Sequence, residues 1–174
     1  MTDHGIAPTV GGGVAVSLSR RERDLLRSLP DQLRPLVSGE EQAPSVSGRL
    51  YSRGYEDDDQ EAEYRSLAGD DIVAQRVGAL DAFAATLEGG TERMGVWRRD
   101  LDAEEAGAWL SAVNDGRLVL AALLGITEEG QWEDGPDDDN PASIVLSYLG
   151  WLQTELVEAL MDALPQADHP PTGG

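Results

Sequence analysis

Apolar residues recur at helical spacing in several stretches of this chain. The most central stretch is 102–126, DAEEAGAWLSAVNDGRLVLAALLGI. Trp109, Leu110, Val113, Leu120 and Leu124 fall within about 100° of arc at 3.6 residues per turn, which predicts one long helix. The run 118–124 is apolar on every side, the pattern of a helix wrapped by others. Arg117 falls inside the same arc, with Asn114 at its edge. A guanidinium facing a core needs a partner, because leaving it unpaired costs several kcal/mol. The expected partner is a carboxylate from 56–63, with Glu61 and Glu63 as candidates. Asn114, Arg117, Glu61 and Glu63 would then form a structural polar network holding the segment RLYSRGY (49–55) to the central helix.

The other elements follow from the same reading. GVAVSL at 13–18 alternates and predicts a short strand. Ser19 and Glu22 make an S-x-x-E capping box that opens a helix at Arg20. Its apolar positions, Leu25 to Val37, continue in register past Pro30, where either a kink or a second short helix is expected. The stretch 38–48 reads as a loop. The acids after Tyr55 open a helix near Asp58 or Asp59. Asp70 or Asp71 would cap the next one, which carries Val73, Val77, Leu80, Ala84 and Leu87 and ends at Gly89-Gly90. MGVWR at 94–98 predicts a second strand pairing with the first. Asp102 and Glu105 cap the central helix. The acidic loop 127–140 leads to Asn140-Pro141, a helix start whose stripe runs from Val145 to Leu164 and stops at Pro165. The expected fold is mainly α: a compact bundle of four to five helices with a minor two-stranded β ribbon, 13–18 with 94–98. Residues 14–164 form a single domain between flexible tails at 1–13 and 165–174.

Composition narrows the chemistry. With 174 residues and 40% hydrophobic content, the chain can bury a core as one domain. A net charge of −20 repels phosphate backbones, so direct nucleic-acid binding is not expected. There are no cysteines, which removes disulfides, thiolate metal sites and cysteine nucleophiles. Every fixed side-chain cation is an arginine, and the two histidines, His4 and His169, sit near the chain ends. Nothing resembles a membrane span or a leader, so the expected location is the cytoplasm.

Three constellations deserve weighing. Asp57/Glu61 and Asp59/Glu63 are i, i+4 carboxylate pairs that could hold a divalent cation. Acids in a first helical turn more often serve the helix dipole, and that reading is preferred. GPDDDN at 135–140 lacks the calcium-loop spacing. Without lysine there is no phosphate-binding P-loop, and no nucleophile elbow occurs. No enzymatic activity, metal or cofactor is therefore expected. The candidate interaction surface is Arg49, Tyr51, Arg53, Tyr55, Asp57 and Asp58, with Trp132 as an exposed anchor. Trp151 is assigned to the core, while a homodimer through an outer face of the last helix stays open.

RLYSRGYEDDDQEAEYRSL, WLSAVNDGRLVLAALLGI and YLGWLQTELVEAL, with LRSLPDQL before them, together resemble an actinobacterial family. It was long catalogued as a domain of unknown function and includes the AosR-type oxidative-stress regulators. The resemblance covers most of 21–160. It implies a cytoplasmic, helical, non-enzymatic protein that associates with an alternative sigma factor to raise transcription under oxidative stress. Family genes often lie near a Clp-protease adaptor gene, which makes an adaptor linked to Clp proteolysis the alternative, beside a carboxylate metal-binding protein. In part of the family a cysteine pair near the N-terminus senses the stress; this chain has none.

Overall fold

The computed structural model of the chain describes residues 4–51, 54–126 and 139–165. Its elements in order are β1 (Gly5–Pro8), β2 (Val14–Ser19), α1 (Arg20–Ser38), α2 (Pro44–Leu50), α3 (Asp58–Glu88), β3 (Thr91–Arg93), β4 (Val96–Leu101), α4 (Ala103–Leu123) and α5 (Pro141–Ala163). The chain is mainly helical, and one hydrophobic core joins the helices to the sheet. No described helix is long and apolar enough to cross a membrane.

The helix starts lie where their caps predict. Ser19 N donates to Glu22 Oε2 at 2.7 Å and Glu22 N returns to Ser19 Oγ at 3.2 Å. Asp102 and Glu105 repeat this box at α4, at 3.0 and 2.8 Å. Asn140 Oδ1 accepts from Ala142 N at 3.1 Å, with Pro141 in the first turn of α5. Each box satisfies donors that a helix start otherwise leaves orphaned.

Three helical expectations need correction. α1 runs on as one helix through Pro30 and Pro35, so no second helix starts at Pro30. Each ring removes a backbone bond, but Leu26, Leu29, Leu33 and Val37 bury one continuous side across the gaps. The loop expected at 38–48 contains the start of α2, with Pro44 in its first turn and Val46 buried. No break occurs at Asp70 or Asp71, since α3 is one helix of 31 residues. Both aspartates are exposed there, and an aspartate in mid-helix costs only tenths of a kcal/mol.

The sheet is larger than a ribbon. Strands 13–18 and 94–98 do meet, as Ser17↔Arg98 and Leu18↔Trp97, but β4 continues to Leu101. Two further antiparallel strands flank them in the order β1-β2-β4-β3. β1 comes from the segment read as a flexible tail; Ile6 pairs with Val16 and packs against the core. A strand of four residues with a glycine and a proline, followed by Gly-Gly-Gly, leaves little alternation to detect. β3, exposed throughout, leaves none. The β3–β4 turn is Met94-Gly95, with φ of 53° and 79°, as a two-residue hairpin requires.

α4 lies against all four other helices and β4. Its buried positions are Ala106, Trp109, Ala112, Val113, Asp115, Gly116 and Val119. That arc is centred about 80° away from the one drawn through the large apolar residues, at 100° per residue. Small residues share the core face with Trp109, Val113 and Val119, and where they stand neighbours approach closely. A Cβ on Gly116 would stand 3.0 Å from Leu149 Cδ1 of α5. The apolar stretch 118–124 is less enclosed than expected, and Leu123 is exposed.

Aromatic packing joins the layers. Trp109 stacks on Trp97 of β4 with ring centroids 6.4 Å apart and meets Phe83 of α3 edge-on at 5.0 Å. Trp109 Nε1 donates to Thr86 Oγ1 at 2.8 Å, and Thr86 Oγ1 donates to Phe83 O at 2.7 Å. Trp97 Nε1 donates to Gly89 O at 2.8 Å, where α3 ends. Gly90 must be glycine: its φ is +82°, and a Cβ would lie 2.7 Å from Arg98 O. Thr86→Val keeps the shape but leaves the Trp109 indole N–H buried without an acceptor. We expect a loss of about 1–3 kcal/mol in urea unfolding, with the denaturant slope unchanged.

Candidate interaction surface

The segment between α2 and α3 is held in place by two arginines and two carboxylates. Asp115 is 1% exposed on α4 and forms an ion pair with Arg76 of α3 through Arg76 Nη1 and Asp115 Oδ1. Arg76 Nη2 donates to Leu50 O at 2.7 Å, at the end of α2. The Arg76 guanidinium also lies 5.1 Å from the centre of the Tyr51 ring, a cation–π contact. Tyr51 Oη donates to Val37 O of α1 at 2.6 Å. One cluster thus joins α1, α2, α3 and α4.

A second tie lies one residue group further on. Glu61 is buried, and its Oε2 accepts from Gly54 N at 2.9 Å and Tyr55 N at 3.0 Å. Arg65 Nε donates to Glu61 Oε1 at 2.8 Å, and Arg65 Nη2 donates to Tyr51 O at 2.7 Å. Asp57 caps α3 by accepting from Asp59 N and Gln60 N, both at 3.0 Å. The metal reading of the Asp57/Glu61 pair loses its donors in this way, since both carboxylates already serve backbone amides. Among the described residues no group of three His, Asp or Glu stands ready to hold a metal ion.

Of the residues expected to form the clamp, Glu61 holds the segment, with Arg65, Arg76 and Asp115 beside it. Arg117 donates to Gln153 Oε1 of α5, so it links α4 to α5, and no bond joins it to the described residues of 49–55. Glu63 is exposed and Asn114 half-buried; neither joins the network around Glu61. Arg49 donates to Ile126 O beyond α4. Arg53 and Trp132 lie outside the described residues. Trp151, assigned to the core, is 41% exposed. Asp115 carries no signal of its own in the sequence, because a carboxylate beside Asn114 and Gly116 looks like a polar margin. The adjacent small residues were the signal that this side of the helix is the packed one.

What the clamp supports is an outward face. α3 is about 46 Å long at 1.5 Å per residue. Its C-terminal half is anchored by Leu80, Phe83 and Leu87, whereas residues 58–67 are exposed apart from Glu61. Tyr55 and Tyr64 meet edge-on at 5.7 Å there, and Leu67 is 77% exposed. Acids surround them: Asp57, Asp59 and Glu63 near the helix start, Asp70 and Asp71 further along. Tyrosines and a leucine amid carboxylates suit a protein partner with a basic rim, since aromatic anchors carry binding energy and charge steers approach. A groove of ≈430 Å³ between α3 and α4 is lined by small residues such as Gly78, Ala82, Gly107 and Ser111 with Asp102, Glu104 and Glu105. Among the described residues, neither histidine nor lysine lines it beside Ser111.

The two clamp carboxylates titrate in opposite senses. Burial pushes Asp115 up to about 6 from an ordinary 3.8, although Arg76 pulls the other way. Burial also opposes charge on Glu61, but the Tyr55 and Gly54 amides and Arg65 outweigh it and hold that carboxyl below its ordinary value. Burial raises Tyr51 as well, against the pull of Arg76. The native state therefore binds the Asp115 proton more tightly than the unfolded chain does. The stability it contributes is greatest below the ordinary value, declines as the pH rises to about 6, and is flat above. Glu61 contributes above its ordinary value and loses that contribution as the pH falls through its lowered one. Asp115→Asn should remove the decline between about pH 4 and 6 from a series of urea midpoints, and Glu61→Gln should lose stability near neutral pH but not in strong acid.

Arg76→Met is expected to cost roughly 3 kcal/mol, the low end for breaking a buried pair, because Asp115 can neutralise itself by taking a proton. Limited proteolysis should then cut within 44–55 at least tenfold faster. Arg117→Met should leave that cleavage unchanged. Equal acceleration by both variants would contradict this assignment of the clamp.

A family model described as a domain of unknown function, DUF2017, matches residues 4–160, from the residue before β1 to near the end of α5. No curated protein matches the chain, and no solved structure does.

Proposed function

The chain belongs to the domain-of-unknown-function family DUF2017, and for it we propose a regulatory role exercised through protein–protein contact, without catalysis. The observation that carries this reading is the braced first half of α3. Tyr55, Tyr64 and Leu67 stand exposed among carboxylates at the start of a helix whose position is fixed by the Asp115–Arg76 pair and by the bonds of Glu61 and Arg65 to 51–55. Holding a surface rigid before binding lowers the entropic cost of association. The partner is a protein with a basic face, drawn in by a chain of net charge −20.

The resemblance to AosR-type regulators favours an alternative sigma factor as that partner and a cytoplasmic role in the actinobacterial response to oxidative stress. A sigma factor, which must meet DNA, presents the basic surface this arm calls for. With no cysteine in the chain, the stress signal reaches the complex by some route other than a thiol switch here. In this reading the chain supplies the contact.

The test is affinity capture from oxidatively stressed cells that produce the protein naturally, with wild type beside Tyr64→Asp/Leu67→Asp. Both positions are exposed, so the variant should keep its melting temperature within a degree or two. A sigma factor recovered by wild type, and at least tenfold less by the variant, is the expected result. Recovery of Clp subunits with neither sigma factor nor polymerase would replace the proposal with the adaptor reading.

A further inference from the structure

α5 carries a second surface, separate from the α3 arm. Ile144, Tyr148, Trp151, Glu155, Glu158 and Asp162 follow one another at steps of four and three. At 100° per residue they lie within about 80° of arc, the spacing of a heptad seam. The core side of the helix, Leu146, Leu149, Leu152, Leu156 and Ala159, is centred about 120° away on the same count. Ile144 is 49% exposed and Trp151 41%; the half-buried Tyr148 ring lies 5.8 Å from Trp151 and backs it.

The charges on this seam are one-sided. Glu155, Glu158 and Asp162 are all the charged residues that α5 has, and all three fall on it. None of them makes an ion pair with a described residue. They also sit in the C-terminal half of the helix, where carboxylates oppose the helix dipole and cations would favour it. The last turn of α5 contains no basic residue. The helix thus keeps an apolar half and an anionic half in one line, at a small cost to its own stability.

We propose that this seam docks an amphipathic helix from a basic partner protein. The partner's apolar side chains cover Ile144 and Trp151, with Tyr148 packed against the core behind them, and its arginines or lysines face Glu155, Glu158 and Asp162. An antiparallel arrangement fits best, because it brings the positive end of the partner's helix dipole to the acids. Charge argues against a second copy of this chain as the occupant. Parallel pairing of two α5 helices sets acids on acids, and antiparallel pairing sets acids on Ile144 and Trp151.

The experiment uses the full chain and a fluorescein-labelled synthetic peptide of three heptads. Its N-terminal half carries arginines at the seam positions and its C-terminal half carries leucines. A control peptide has glutamates in place of the arginines. Anisotropy titration should give saturable binding of the arginine peptide, and at least roughly tenfold weaker binding of the control. Trp151→Asp should cost a similar factor. Glu155→Arg/Glu158→Arg should also cost that factor while raising the melting temperature, since cations then sit at the helix C-terminus. Equal binding by wild type and both variants, or equal binding of the two peptides, would overturn the proposal. So would a Trp151-dependent dimer in sedimentation, which would make a second copy the occupant.

Discussion

The arrangement of this molecule depends on one buried ion pair, Asp115 with Arg76. A pair of this kind adds little net stability, since removing two charges from water costs about as much as their attraction returns. Its effect is on alignment. Asp115 accepts from α3, so only one placement of α3 along α4 avoids a lone charge in the core. Arg76 then spends its second nitrogen on Leu50 O and its flat face on Tyr51, which sets the end of α2. Three connections between helices follow from one carboxylate.

That carboxylate is buried because its helix is thin where it matters. Ala112 and Gly116 carry little bulk beside Asp115, and α5 closes there until a Cβ on Gly116 would stand 3.0 Å from Leu149 Cδ1. Close approach brings Trp109 between Trp97 and Phe83, and with it the contact between sheet and helices. Bulk at Ala112 or Gly116 would push the helices apart and let water reach Asp115.

Much of this was legible in the amino-acid sequence, and the illegible parts share a cause. Ser19, Asp102 and Asn140 announce their helices because a cap is a local matter between neighbouring residues. Val14, Val16 and Leu18 announce a strand because half-buried strands alternate. The core face of α4 is different. It is decided by how closely other elements approach, and a count of large apolar residues points to Leu110 and Leu120 instead. The same holds for the candidate surface. Tyr55, Asp57 and Asp58 were identifiable as an acidic, aromatic stretch, but the residues fixing it, Arg76 and Asp115, are 39 positions apart. Nothing local marks them as partners. Short strands such as β1 and β3 are stabilised by pairing more than by their own residues, so their sequences say little.

The shape of α3 has a mechanical consequence. It is a beam anchored at Leu80–Leu87 and again at Arg76, with the turn at Gly54 and Tyr55 acting as a strut near its far end. From Arg76 to Asp58 the beam is about 27 Å long. A tilt of about 5° at the anchor would therefore carry the tip by about 2 Å. A load on the tip is borne first by the Glu61 and Arg65 hydrogen bonds and only then by the core. The stiffness of the arm is thus set by a few polar contacts in the strut, which can yield while the core stays packed.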